Sequence, residues 1–241
     1  MKKLTKAAKT VEKVYALFVA LYAGYAVLLK MTTPNDKKKL DEVINKAIDD
    51  TMNVLCLKER PTVNMVNNDV NFIMAVEGMI YYDNFHTKII TGTECNYVLK
   101  INEEVLKREL NGHYKTFMNK QVVYDSLYLT VCHELRHMWQ YENQWFVGKK
   151  YDPVKIEEQR ISEGHGTLEE EVDANAFATK IAATKGNKEL GEYLDLLQRK
   201  SGTVSVNKDI IRKLRKKRIE VAKKYNKAFY IIYNIIYKVL E

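Results

Sequence analysis

His133-Glu134-Leu135-Arg136-His137 constrains this chain more than any other stretch. Residues four apart lie one turn above each other on one face of a helix, so two imidazoles at that spacing can bind one small metal ion. The Glu beside the first His then faces the water on that ion and can take its proton. The pattern works only on a helix. Val122, Val123, Leu127, Val131 and Leu135 recur at three-to-four-residue spacing, and no Pro or Gly interrupts Lys120 to Phe146, which predicts a helix from about Gln121 to Trp145. Leu129, Met138, Trp139 and Trp145 make it apolar enough to be buried, and polar groups in such a helix need partners. A metal would supply them. A chance match of the motif on a structural helix is the competing reading.

Catalytic zinc usually has three protein ligands and one open position. The candidate third ligand lies in Glu171-Val172-Asp173-Ala174-Asn175-Ala176-Phe177-Ala178, which begins thirty-four residues after His137. A helix from about Thr167 to Thr184 is expected, with Ala174, Ala176 and Ala178 allowing close approach of a neighbour. Glu171 and Asn175 share a face, so Glu171 can reach the metal while the Asn175 carbonyl accepts from a ligand imidazole. Glu169 and Glu170 read as solvated acids at a helix N-terminus. Glu171 leads into a buried stretch and is not explained that way.

The HELRH segment followed by E-V-D-A-N-A-F-A resembles the gluzincin metallopeptidases, and among them the minimal ImmA/IrrE-like domains of bacteria and their mobile elements. The resemblance spans roughly Pro61 to Thr184. It implies His133, His137 and Glu171 as Zn2+ ligands, Glu134 as general base, and Asp173 and Asn175 as supporting residues. Many gluzincins carry Asp where this chain has Asn175, which makes a weaker supporting bond. The implied reaction is hydrolysis of a peptide bond in a protein or peptide, with a repressor-like regulatory protein as the substrate that the relatives suggest. Zinc would acidify its water and polarise the scissile carbonyl, and Glu134 would carry the proton to the leaving amine. An oxyanion donor is also needed. His165, Tyr141 and Tyr151 are available, His165 being the candidate; an ordinary loop histidine is the alternative.

Asn96 to Asn102 alternates as a strand, followed by a short helix from Glu103 to Leu110. Such peptidases add substrate as a strand to a sheet edge, so this strand either lines the cleft or belongs to the core. Further strands are expected at Pro61 to Val66 and Met79 to Phe85, and a helix at Lys37 to Val54. The expected fold is therefore α+β: a small mixed or antiparallel sheet packed on the HExxH helix and the Glu-ligand helix. Long helices flank it, giving segments 1–31, 35–200 and 203–241.

Charge separates those segments. Residues 1–40 carry nine Lys or Arg against two Asp or Glu; residues 201–241 carry eleven against three; residues 41–200 carry nineteen against twenty-six. The acidic centre argues against a nucleic-acid-binding core. The three cysteines, Cys56, Cys95 and Cys132, show no paired spacing and argue against a disulfide framework. Cys132 reads as a buried small residue whose nearness to a metal would make it open to oxidation.

The ends resemble each other. In 1–29 the series Leu4, Val11, Phe18 and Tyr25 repeats every seven residues, and Val14 to Leu29 is apolar on all faces. Packed or interfacial helix, signal peptide and membrane span compete there; sixteen apolar residues fall short of the roughly 20 a span needs. Val206 to Leu240 reads as one helix, basic first and apolar after. The two ends are expected to pair with each other or with a partner, or to lie on a membrane surface; nucleic acid is a weaker alternative. The expected location is the cytoplasm, with membrane association or export as alternatives. The rival to an enzyme is a non-catalytic zinc-containing regulatory protein that docks on nucleic acid, membrane or partner through its basic tail.

Overall fold

The structure is a computed structural model that describes residues 15, 19, 36–66, 74–78, 97–143, 158–159, 161–201 and 208–240. By contact the chain divides into two units, Met1–Asn35 and Asp36–Glu241. In the first, Tyr15 and Val19 are helical and exposed. The expected pairing of the two ends, the strand at 79–85 and the linker at 32–35 lie outside the described residues. Among the described residues no helix is long and apolar enough to cross a membrane.

The second unit is α+β. Its elements are α1 (Lys37–Leu55), β1 (Thr62–Val66), β2 (Met74–Gly78), β3 (Tyr97–Asn102), α2 (Glu103–Phe117), α3 (Lys120–Glu142), a 3-10 turn (His165–Thr167), α4 (Glu169–Thr184), α5 (Lys188–Ser201), α6 (Lys208–Tyr225) and α7 (Lys227–Leu240). The sheet is mixed, in the order β1-β3-β2. β1 runs parallel to β3, with Thr62 opposite Val98 and Val66 opposite Asn102. β2 runs antiparallel to it, with Met74 opposite Ile101 and Gly78 opposite Tyr97. Tyr97, Leu99 and Ile101 are all buried, as period-two alternation requires. β3 is thus the central strand of the core, with both its edges paired. It therefore offers no free edge for an added strand, and it fills the core role expected of it.

Asparagines set the helix starts around the sheet. Asn102 ends β3 and caps α2 by accepting from Val105 N at 3.1 Å, and Asn119 caps α3 by accepting from Gln121 N at 2.7 Å. α2 runs seven residues past the expected end at Leu110 because Tyr114 and Phe117 are also buried. It stops at Met118, a left-handed residue whose N–H bonds the Tyr114 carbonyl.

α3 is the axis of the unit. It packs against α1, α2, α4, α5 and β2, and Leu127, Val131, Leu135 and Met138 have no exposed surface. Burial on that scale holds a helix whatever its intrinsic propensity, at roughly 1.5–3 kcal/mol per large side chain. The C-terminal segment is two helices rather than one. The break is Asn226, which accepts from Phe229 N to start α7 and donates through its amide to the Phe117 carbonyl. α6 packs on α5 and α7 on α6. Asn119 donates to the Tyr225 carbonyl at 2.7 Å, Tyr225 Oη to Asp125 at 2.5 Å and Tyr233 Oη to the Thr116 carbonyl at 2.6 Å.

Candidate metal centre

His133 and His137 project from α3 towards the first turn of α4, where Glu171 is buried. Their Nε2 atoms lie 3.1 Å apart. His133 Nε2 is 3.3 Å from Glu171 Oε2, and His137 Nε2 is 3.3 Å from Glu171 Oε1. Three ligand atoms, one from each residue, fall within 4.8 Å of one another, so the group could hold a metal ion. Glu134 is half-buried beside them.

Two more side chains reach the same carboxylate. His165 Nε2 is 2.9 Å from Glu171 Oε1, and Gln198 of α5 donates to Oε2 at 3.0 Å. His165 is largely exposed and opens the 3-10 turn behind Gly164, whose φ of 103° belongs to glycine's range. The turn thus delivers His165 to the ligand carboxylate. Of the other donors, Tyr141 is exposed and Tyr151 lies outside the described residues. Gln198 carried no signal in the sequence, because only the packing of α5 on α4 brings it there.

The charge balance of the cluster follows from this crowding. Burial alone would raise the Glu171 carboxyl, but the bonds from His133, His137 and His165 outweigh it and hold the group far below the usual carboxylate range. Burial lowers His137, and its bond to Glu171 with the charges of Glu134 and Glu171 reverses this and lifts the ring to about 9. Burial raises the Glu134 carboxyl, which the neighbouring histidines only partly offset. Three imidazoles around one carboxylate, with a second acid beside them, form a site that could exchange protons for a cation.

The supporting residues differ from expectation. His133 Nδ1 and Asn175 Nδ2 are both buried without a hydrogen-bond partner, and Asn175 makes no bond to either ligand ring. The imidazole that does have a protein partner is His137, whose Nδ1 lies 2.8 Å from Gln140 Oε1. Gln140 in turn donates to Asp173 Oδ2 at 2.8 Å. Asp173 supports the site in this indirect way and is gripped by Arg136 at 2.7 and 3.2 Å. Arg136 is stacked on Trp139, 3.7 Å from the ring centre. Gln140 was not singled out by the motif, since nothing distinguishes it in sequence from any other helix glutamine.

Glu169 is exposed and Glu171 buried, as expected. Of the three alanines, only Ala174 is buried; Ala176 is exposed. The close approach of α4 lies two turns further on, where a Cβ on Gly191 of α5 would stand 2.7 Å from Ala182 Cβ and 3.0 Å from Thr179 Cα. Cys132 is buried on the opposite side of α3, within 3.1 Å of Thr51 Oγ1. Burial pushes its thiol up to about 11, which makes it an inert thiol rather than an oxidation-prone one.

Fold and site together define an α+β protein with a buried His/His/Glu cluster able to hold a metal ion. The chain matches no family model, no curated protein and no solved structure.

Proposed function

We propose that the protein is a zinc-dependent metallopeptidase of the gluzincin type, acting on a protein or peptide. The observation that carries this is the convergence of His133, His137 and Glu171 with Glu134 alongside. Zinc bonded to N and O at about 2.0–2.1 Å in a tetrahedron has ligands about 3.3 Å apart. The Nε2 pair at 3.1 Å and the approach of each ring to one Glu171 oxygen at 3.3 Å are close to that edge, and one ligand atom from each residue fits within 4.8 Å. Two nitrogens and one carboxylate are also the donor set that leaves a fourth position for catalysis.

When bound, the ion supplies Lewis acidity and lowers the pKa of a coordinated water. His133, His137 and Glu171 would hold it. Glu134 would take the proton of the attacking water and return it to the leaving amine. His165 stands at the exposed rim, where a ring N–H can donate to the developing oxyanion. β2 packs on α3 and, among the described residues, pairs on one side only, so it is the strand positioned to align an extended peptide.

The test uses the full chain loaded with zinc and a fluorescently labelled unfolded protein as substrate. Chelation should stop cleavage, and zinc should restore it. Glu134→Gln should lower turnover by roughly 10²–10⁴ with metal content unchanged. A second reading, a non-catalytic docking protein, is favoured by α6, which exposes Lys208, Arg212, Lys213, Lys216 and Lys223. It predicts that neutralising these residues abolishes binding to nucleic acid, anionic vesicles or a partner, with Glu134→Gln silent.

A further inference from the structure

We propose that Gln140 is a positioning residue of the metal centre: its amide fixes the His137 proton on Nδ1, leaves Nε2 as the ligand atom, and ties that ring to the backbone of the Glu171 turn. This rests on reading the cluster as a metal centre, but its first test does not need the metal.

The argument is one of donors and acceptors. Gln140 is fully buried on α3, one turn beyond His137. Its side chain meets three groups: the Glu170 carbonyl at 3.1 Å, Asp173 Oδ2 at 2.8 Å and His137 Nδ1 at 2.8 Å. A backbone carbonyl can only accept, so the NH₂ end of the amide must face Glu170. The same NH₂ faces the Asp173 carboxylate, which the Arg136 guanidinium already holds through two donors. Both amide hydrogens are then used, and Oε1 is left to face His137. An amide oxygen accepts, so His137 Nδ1 must donate. In the neutral ring that places the lone pair on Nε2, the atom that faces His133 and Glu171.

Glutamine is the residue this geometry requires. Glutamate would offer no donor to Glu170 or Asp173, and methionine would offer neither donor nor acceptor. The relay runs His137, Gln140, then Glu170 and Asp173, then Arg136. It joins a ligand ring on one helix to the residue directly before the ligand carboxylate on the other. The His137 ring therefore keeps its orientation when the metal leaves. His133 has no such brace, since its Nδ1 is buried without a partner. The two imidazoles of the motif are thus inequivalent: one is locked by the protein, the other is oriented through the cluster itself.

The test is a long-range ¹H–¹⁵N correlation spectrum of the histidine rings, recorded on the full chain. Single substitutions assign the five histidines. Metal-free protein is examined at a pH high enough to leave the ring neutral, and zinc-loaded protein at neutral pH. His137 is expected to show Nδ1–H in both states. A proton on Nε2 in the metal-free ring overturns the proposal. Gln140→Met should give mixed tautomers and bind zinc ten- to a hundredfold more weakly in chelator competition. Gln140→Glu keeps an acceptor for His137 Nδ1–H and should keep that tautomer. A Gln140→Glu protein with the proton on Nε2, or a Gln140→Met protein with unchanged tautomer and affinity, also overturns the proposal. Should Gln140→Met not fold, the wild-type spectrum and Gln140→Glu decide. If wild type binds no zinc, the metal-centre reading fails, while the metal-free spectrum still locates the proton.

Discussion

α3 carries a polar network on each of two sides, and the two are built differently. Towards α1, Tyr128 Oη donates to Asp50 at 2.8 Å, Lys185 Nζ reaches the same carboxylate at 3.1 Å, and Cys132 meets Thr51. Lys185 also stands 4.6 Å over the Tyr128 ring. Each group there has a partner, as a structural cross-link requires. Towards α4, three imidazoles and an amide converge on the single carboxylate of Glu171, while His133 Nδ1 and Asn175 Nδ2 stay buried and unpartnered. Convergence with unsatisfied atoms is a poor way to hold a fold, because each orphaned group costs about 1–3 kcal/mol. The donor atoms of His133, His137 and Glu171 could instead hold a cation. The difference separates residues that bind helices together from a cluster that could take a metal ion.

The comparison breaks most visibly at the carboxylates. Glu171→Ala should reduce zinc affinity by more than a hundredfold, measured by chelator competition, with little loss of helix by circular dichroism. Removing packing between the two networks should act on stability alone. Leu127→Ala and Leu135→Ala leave cavities in the fully buried spine of α3 and should each cost about 2–5 kcal/mol in urea unfolding. Gly191→Ala forces α5 away from Ala182 and Thr179 and should cost about 1–3 kcal/mol. It should also perturb zinc affinity, because Gln198 rides on the same helix.

The α1 side should answer to pH. Burial pushes Asp50 up, but bonds from Tyr128, Lys185 and Lys46 outweigh this, so its folded pKa lies below the ordinary 3.8. Its contribution is present in full above that unfolded value and is lost as pH falls through the folded one. Asp50→Asn should cost about 1 kcal/mol at pH 7 and nothing extra near pH 2, judged by the pH dependence of the urea midpoint. The smallest expected effect is chemical. Alkylation of the native protein should modify exposed Cys56 and leave buried Cys132 untouched until the protein unfolds.

What the sequence made legible was local. The HExxH helix, the Glu171 helix and the alternation of β3 all follow from spacing along a single element. The ends of elements were harder to read. α2 continues past Leu110 because Phe117 stacks edge-on to Tyr193 of α5, 5.2 Å away, and that contact is invisible along the chain. Asn226 divides the C-terminal helix because its amide finds the Phe117 carbonyl, 109 residues away. Gln140 and Gln198 belong to the site only through α4 packing on α3 and α5 on α4. The motif named two members of the cluster; the residues that hold the cluster in place depend on helix packing that no motif encodes.

The central claim is that His133, His137 and Glu171 form one zinc site. Elemental analysis of the purified full chain, wild type beside Glu171→Ala, tests it most directly. About one zinc per wild-type chain, much reduced in the variant, is the predicted result. Wild-type protein that holds no metal after zinc is supplied, or a variant that holds as much as wild type, would contradict it.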